Sequence, residues 1–211
     1  MKSRILLLKI IKRKFFTFSL IKWWIRGFSA PSPQFVKLRI LRNNGVSDAT
    51  WVETGTYLGE TTKFLSHISK NVISIEPAKV LFEFTSHRLR KIRNITLVFG
   101  TSEEVFESVV SKLDGKVNFW LDGHGSGDIT FANEKLTPIL HELEIIGKSV
   151  NKFQACVVFV DDIRGFADFG SKSKYPNKEF LIDWAQRNNF TWAIEQDIFI
   201  AKTAKSVELQ E

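Results

Sequence analysis

The stretch that decides the fold is TWVETGTYLGETTKFL, Thr50 to Leu65. It opens on strand formers, breaks at Gly55 and Gly59, and resumes as a helical pattern from Glu60. Gly55 permits a tight turn directly after a strand, and Gly59 lets backbone come close to a ligand or a neighbouring helix. The amides that begin the helix, near Thr61 and Thr62, suit an anionic group. Two well-known phosphate loops are excluded. The dinucleotide fingerprint G-x-G-x-x-G wants glycines where Tyr57 and Glu60 stand, and no G-K-[ST] follows to make a P-loop. What remains is E-x-G-x-x-x-G, followed by Glu76, 23 residues after Glu53. An acid at the end of the second strand can accept from both hydroxyls of a ribose. The plainer alternative is a solvated strand end before Pro77.

Outward from this stretch the chain alternates. FVKLRILRNN reads as a short helix ending near Asn43, Asn44 and Gly45, with Gly45 as its C-cap. ATWVET, NVISIEP, ITLVFG, VNFWLDG and ACVVFVDD read as strands. Between them ETTKFLSHIS, KVLFEFTSHRLRKI, SEEVFESVVSKL and EKLTPILHELEIIGKSV read as helices, with Ser102 as an N-cap and Pro138 beginning or kinking the last. KEFLIDWAQRNN is a further helix, and FTWAIEQDIFIAKT two strands about a turn near Glu195–Asp197. Several strands are continuous apolar runs, as expected of strands buried on both faces. The predicted fold is α/β: a doubly wound, mostly parallel sheet of about seven strands with a C-terminal antiparallel strand and helices on both faces.

Ligands of such sheets bind beyond the carboxyl ends of the strands. Here those ends are polar: Glu53, Glu76, Gly100-Thr101-Ser102, Asp122-Gly123-His124 and Asp161-Asp162.

The net charge of +7 sits in a tail. Residues 1–30 hold eight Lys/Arg and no acid, and the remainder carries a net charge of −1. A nucleic-acid-binding core is therefore not expected. Residues 1–33 form a basic, aromatic-rich segment ahead of a domain over 34–211, with Pro31 and Pro33 at the join. The segment contains no run of about 20 apolar residues able to span a bilayer. Its composition suits peripheral contact with an anionic membrane, at the inner face, or a helix packed on the domain. One cysteine, Cys156, lies within an apolar strand and reads as core, which fits a cytoplasmic setting.

With these segments in view, the chain resembles the class I S-adenosylmethionine-dependent methyltransferases. VETGTYLGETT, VISIEPA, VFGTSEE, FWLDGHGSGDIT and VVFVDDIRGF occur in the family's order, over about Val46 to Lys202. More narrowly it is similar to bacterial sugar and small-molecule O-methyltransferases, often encoded with polysaccharide biosynthesis functions. The resemblance implies a Rossmann-like fold and S-adenosylmethionine as cofactor. Glu53, Thr54, Gly55, Thr56, Gly59, Thr61 and Thr62 would hold its methionine end, Glu76 its ribose, and Thr101 and Ser102 the neighbourhood of its adenine. Tyr57 takes the place of a middle glycine common in relatives, and Gly125 stands where close relatives have an aromatic.

The acids carry a second expectation. Adjacent parallel strands lie about 4.8 Å apart, so Asp122, Asp161 and Asp162 can converge. An all-carboxylate set suits Mg or Mn, and some small-molecule O-methyltransferases that this chain resembles hold an ion at such a cluster. Asp122 and Asp161 are then catalytic, with Asp122 also contacting the cofactor. Without a metal, Asp122 orients a loop or the cofactor amine, and Asp161-Asp162 caps the next segment. His124 is the candidate base. Arg164 and Tyr57 are candidate contacts to a small-molecule or saccharide acceptor, and the glycine-containing loop 125–130 a candidate cover. His67, His87 and His141 read as surface or packing residues. Two other classes remain beside the methyltransferase: a hydrolase or transferase using the acids on a nucleotide-like ligand, and a non-catalytic Rossmann-like binding module attached to a membrane-associated assembly.

Overall fold

The computed structural model describes residues 19–122, 138–166 and 176–209. In chain order these form α1 (Gln34–Asn44), β1 (Thr50–Thr54), α2 (Glu60–Leu65), β2 (Asn71–Glu76), α3 (Lys79–Leu89), β3 (Ile95–Phe99) and α4 (Ser102–Ser111). Then follow β4 (Gly115–Leu121), α5 (Ile139–Ser149), β5 (Phe153–Val160), α6 (Lys178–Arg187), β6 (Phe190–Glu195), β7 (Ile198–Thr203) and α7 (Ala204–Glu208). Residues 19–25 are helical ahead of α1.

One sheet runs β3-β2-β1-β4-β5-β7-β6. The first five strands are parallel, and β7 alone runs against its neighbours β5 and β6. The strand order reverses between β1 and β4, so their carboxyl ends open the switch-point crevice. The inner strands are buried on both sides, because each face carries its own apolar set. Val52, Ile75, Phe119, Leu121, Val158 and Val160 pack with α4, α5 and α6 on one face. Trp51, Val72, Trp120, Val157 and Phe159 pack with Ile40 and Leu41 of α1 and Leu65 of α2 on the other.

Register decides what reaches the crevice. Thr54 pairs with Leu121, and Leu121 with Val160. The ladder then runs one residue past the strands: Asp122 N–H donates to Thr54 O at 3.2 Å, and Asp161 N–H to Leu121 O at 3.1 Å. Strict alternation puts Glu53, Asp122 and Asp161 on the α1 face, and Thr54 on the other.

The N-cap before Glu103 and the length of the helix from Glu60 are corrected, and Gly45 and Pro138 hold the positions expected of them. The N-cap of α4 is Thr101, not Ser102. Thr101 is extended (φ −79°, ψ 158°) and its N–H donates to Glu104 at 3.1 Å in a capping box, while Ser102 is already helical. Gly45 does end α1, but with φ −74°. It is needed for space, since a Cβ there would lie 2.5 Å from the Trp51 ring. The segment from Glu60 stays helical only to Leu65 before turning. The strand ending at Thr203 runs into α7, where Ser206 Oγ donates to Cys156 O at 2.9 Å. Pro138 starts α5 directly ahead of Ile139.

Candidate active site

The glycine loop is a turn folded onto the second strand. Gly55 (φ 87°) and Gly59 (φ 72°) are both left-handed, and so is Tyr57 (φ 48°). Gly55 N–H donates to Ile75 O at 3.0 Å. A Cβ on Gly59 would meet Leu89 Cδ1 at 3.0 Å, so the second glycine seats the loop against α3. Arg88 of α3 holds the loop's far side, donating to Leu58 O and pairing with Glu60.

Two buried acids flank this loop. Glu53 Oε2 accepts from Thr62 Oγ1 at 2.5 Å and from Ser74 Oγ at 2.6 Å, and Ser74 Oγ lies 2.6 Å from Thr56 Oγ1. Glu53 Oε1 has no hydrogen-bond partner among the described residues. Burial pushes this carboxyl up to about 7 against the pull of the two hydroxyls. Glu76 accepts from the Tyr57 amide at 2.8 Å and the Ala78 amide at 2.9 Å. Burial raises it too, and the amides oppose the rise. The Tyr57 amide bond explains the left-handed backbone: the loop turns its N–H inward to Glu76, while the ring is 56% exposed.

The third strand end joins the same edge, since Gly100 N–H donates to Glu76 O at 3.2 Å. Thr101 and Ser102 follow it at the start of α4. Thr54 and Ser102 lie beside Glu142 of α5 on the opposite face. Burial pushes Glu142 up to about 7, held down in part by the Ser102 hydroxyl.

Asp122, Asp161 and Asp162 do converge: each offers a carboxylate oxygen, all within 4.8 Å of one another. Burial and the charge of Asp161 push Asp122 well above the usual carboxylate range, with Lys37 acting against them. Asp162 is left-handed (φ 52°) and leads into a 3-10 turn over Ile163–Gly165. Arg164 Nη1 donates to Asp162 Oδ1 at 2.8 Å and pairs with Asp197, which also accepts from the Arg164 amide at 2.9 Å.

One member of this site was not expected from sequence. Lys37 of α1 pairs with Asp161 Oδ2 and with Asp162 Oδ1, the latter at 3.0 Å. Burial works to lower the Lys37 ammonium, but the two aspartates outweigh it and leave it raised. A signal was present in the sequence: Lys37 sits three and four residues before Ile40 and Leu41, the fully buried pair of α1. Glu142 has the same mark, lying beside Ile139, Leu143 and Ile146 on the apolar stripe of α5.

Ser74 and Glu53 thus join Thr56 and Thr62 in one hydrogen-bonded group, with Glu76 beside it bonded to the Tyr57 and Ala78 amides; Lys37 and Arg164 join Asp161 and Asp162 in a second, which Asp122 faces. Thr61 Oγ1 turns away to accept from Gln34 of α1 at 2.9 Å. His124 and loop 125–130 lie outside the described residues. His67 and His87 are on the surface as expected, bonded within their own turns.

This sheet order, with β7 reversed and polar groups at the switch point, is the fold of the class I S-adenosylmethionine-dependent methyltransferases. Among solved structures, the chain is similar to the O-methyltransferase from Bacillus cereus in complex with SAH, at 12% identity and TM-score 0.55, covering 88% of each chain. A putative caffeoyl-CoA O-methyltransferase from Staphylococcus aureus matches at 14% identity and TM-score 0.53, over 87% of this chain and 89% of that one. The 23S rRNA methyltransferase ErmE matches at 14% identity and TM-score 0.50, over 81% and 67%. No known family profile and no curated protein sequence matches the chain.

Proposed function

We propose that this protein is an S-adenosylmethionine-dependent methyltransferase acting on a hydroxyl oxygen of a saccharide or related compound. The observation that carries this reading is the pair of buried acids, Glu53 and Glu76, on adjacent strand ends beside a left-handed loop. Glu53 Oε1 is buried without a partner, an arrangement that awaits a donor such as an amino group. The Glu76 oxygens each take one backbone amide and keep a lone pair for a ribose hydroxyl. These residues fit the cofactor, which when bound supplies an electrophilic methyl on a sulfonium. The saccharide class rests on the motif likeness over Val46–Lys202.

Methyl transfer would join the acceptor oxygen to the methyl carbon that the cofactor supplies, the electron pair of the former carbon–sulfur bond remaining on sulfur. The acceptor proton goes to a base, for which His124, two residues beyond Asp122, is the candidate. The chain's contribution is largely to hold that oxygen in line, with Asp122 and Asp161 on the acceptor side. Asp122, Asp161 and Asp162 are also the residues that would hold Mg or Mn, whose chemistry would be to lower the hydroxyl pKa. Their approach within 4.8 Å is the observation behind that second reading, and the Lys37 ammonium on Asp161 and Asp162 weighs against it.

Mass spectrometry of candidate glycans incubated with cofactor tests the function: a protein-dependent gain of one methyl group supports it, and none across hydroxyl acceptors, with transfer to RNA instead, overturns it. Activity lost in EDTA and restored by Mg or Mn selects the metal-assisted version. Peripheral membrane contact through residues 1–30 belongs to the same proposal. It is supported by Trp24 and Ile25, 65% and 71% exposed beside Lys22 and Arg26. Equal co-sedimentation with anionic liposomes by the full chain and a variant lacking residues 1–28 would remove it.

A further inference from the structure

We infer that Lys37 is the resident cation of the Asp122–Asp161–Asp162 cluster, standing where a divalent ion would otherwise bind, so that the cleft works with a cation supplied by its own chain. Three observations carry this.

The first is geometric. The Lys37 ammonium bonds Asp161 Oδ2 and Asp162 Oδ1, two of the three carboxylates that face one another. Its side chain is 12% exposed and that of Asp161 is 1% exposed. Hard divalent ions bind carboxylate oxygen at about 2.0–2.6 Å. An ion held by these carboxylates, whichever oxygen each offered, would lie within a few ångströms of the ammonium and set two positive charges together in a poorly hydrated place.

The second is that Lys37 is delivered by a seated helix. Ile40 and Leu41 are buried on the Trp51–Phe159 face of the sheet. Gln34 ties the first turn to Thr61 at 2.9 Å, and Gly45 closes the last turn against the Trp51 ring. Both ends of α1 are fixed, so the ammonium is held in the cluster by packing, and a long flexible side chain is not simply sweeping across a surface.

The third is the use of the remaining oxygens. Asp162 Oδ1 accepts from Arg164 as well as Lys37. Asp161 Oδ1 is buried without a partner among the described residues. Lys37 therefore fixes the Asp161 carboxylate by one oxygen and leaves the other for a donor on the acceptor. In that role Lys37 is a positioning residue, and this last step alone rests on the methyltransferase reading.

The test uses manganese(II) as probe, followed by electron paramagnetic resonance and calorimetry on the full chain without cofactor or acceptor. Wild type should bind no stoichiometric manganese. Lys37→Met should gain one site per chain, at least about tenfold tighter than any wild-type binding, because the charge and number of carboxylate ligands set such affinities. Lys37→Arg should resemble wild type, and adding Asp161→Asn to Lys37→Met should remove the gain. If Lys37→Met does not fold, Lys37→Gln serves, since its amide still donates. One tight manganese per wild-type chain overturns the inference. So does a folded Lys37→Met or Lys37→Gln that binds no more than wild type. Since no cofactor is present, neither outcome depends on whether the protein transfers methyl groups.

Discussion

Replacing Glu53 by glutamine should stabilise the protein while weakening its ligand site. Glu53 is fully buried and its carboxyl is raised from 4.5 to about 7. At about 1.4 kcal/mol per unit, the ionised form costs the folded state about 3 kcal/mol relative to the unfolded chain. Because the folded value is raised, the proton is held more tightly in the folded state. Stability is therefore full below about pH 4.5 and is lost as pH rises towards about 7. Glutamine is neutral throughout and still accepts from Thr62 and Ser74 through its amide oxygen. Its gain should appear at about pH 8 as roughly 6–12 °C in Tm, the scale for a chain of this length, and should vanish near pH 4.5. Circular dichroism melts at the two pH values supply the assay. An equal gain at both, or a loss at the higher, would refute the burial argument. The same substitution removes the acceptor offered by Oε1, so binding of S-adenosylhomocysteine should fall as stability rises, the trade expected where strain is kept for function.

Other expectations follow from single contacts. Glu76→Ala removes the acceptor for the Tyr57 and Ala78 amides and for a ribose, so cofactor affinity should fall at least about a hundredfold by calorimetry. Glu142→Gln should repeat the pH-dependent stabilisation of Glu53→Gln, since its carboxyl is also raised to about 7 by burial; melts at both pH values check it. Gly45→Ala puts a Cβ 2.5 Å from the Trp51 ring and 2.9 Å from Leu41 O, and urea unfolding should show a loss of about 1–3 kcal/mol. Lys37→Ala leaves Asp161 without its buried counter-ion and should cost about 3 kcal/mol in the same assay.

Much of the fold was legible because the strands announce themselves. Runs such as ACVVFV bury both faces of an inner strand, an environment that accepts so continuous an apolar run. The strand-end acids were legible for the same reason, each interrupting such a run at its carboxyl end. Side-chain partners across the fold were not. Nothing local in FVKLRILRNN says that Lys37 meets Asp161, 124 residues later; the pairing comes from packing α1 on the sheet. The cap of α4 was misplaced by one residue because Thr101 and Ser102 both make good caps, and Glu104 at the third position decides between them. Tyr57 looked like a substitute for glycine in a ligand loop. Its backbone is held left-handed by Glu76, which only the second strand's position reveals.

On the proposed reading, the Glu53–Glu76 edge holds S-adenosylmethionine. Calorimetric titration of the full-length protein with S-adenosylhomocysteine tests it most directly. One molecule should bind per chain, with binding lost in Glu76→Ala at unchanged circular dichroism. A folded wild-type protein that takes up no S-adenosylhomocysteine, or a Glu76→Ala variant that binds it as tightly as wild type, would contradict it.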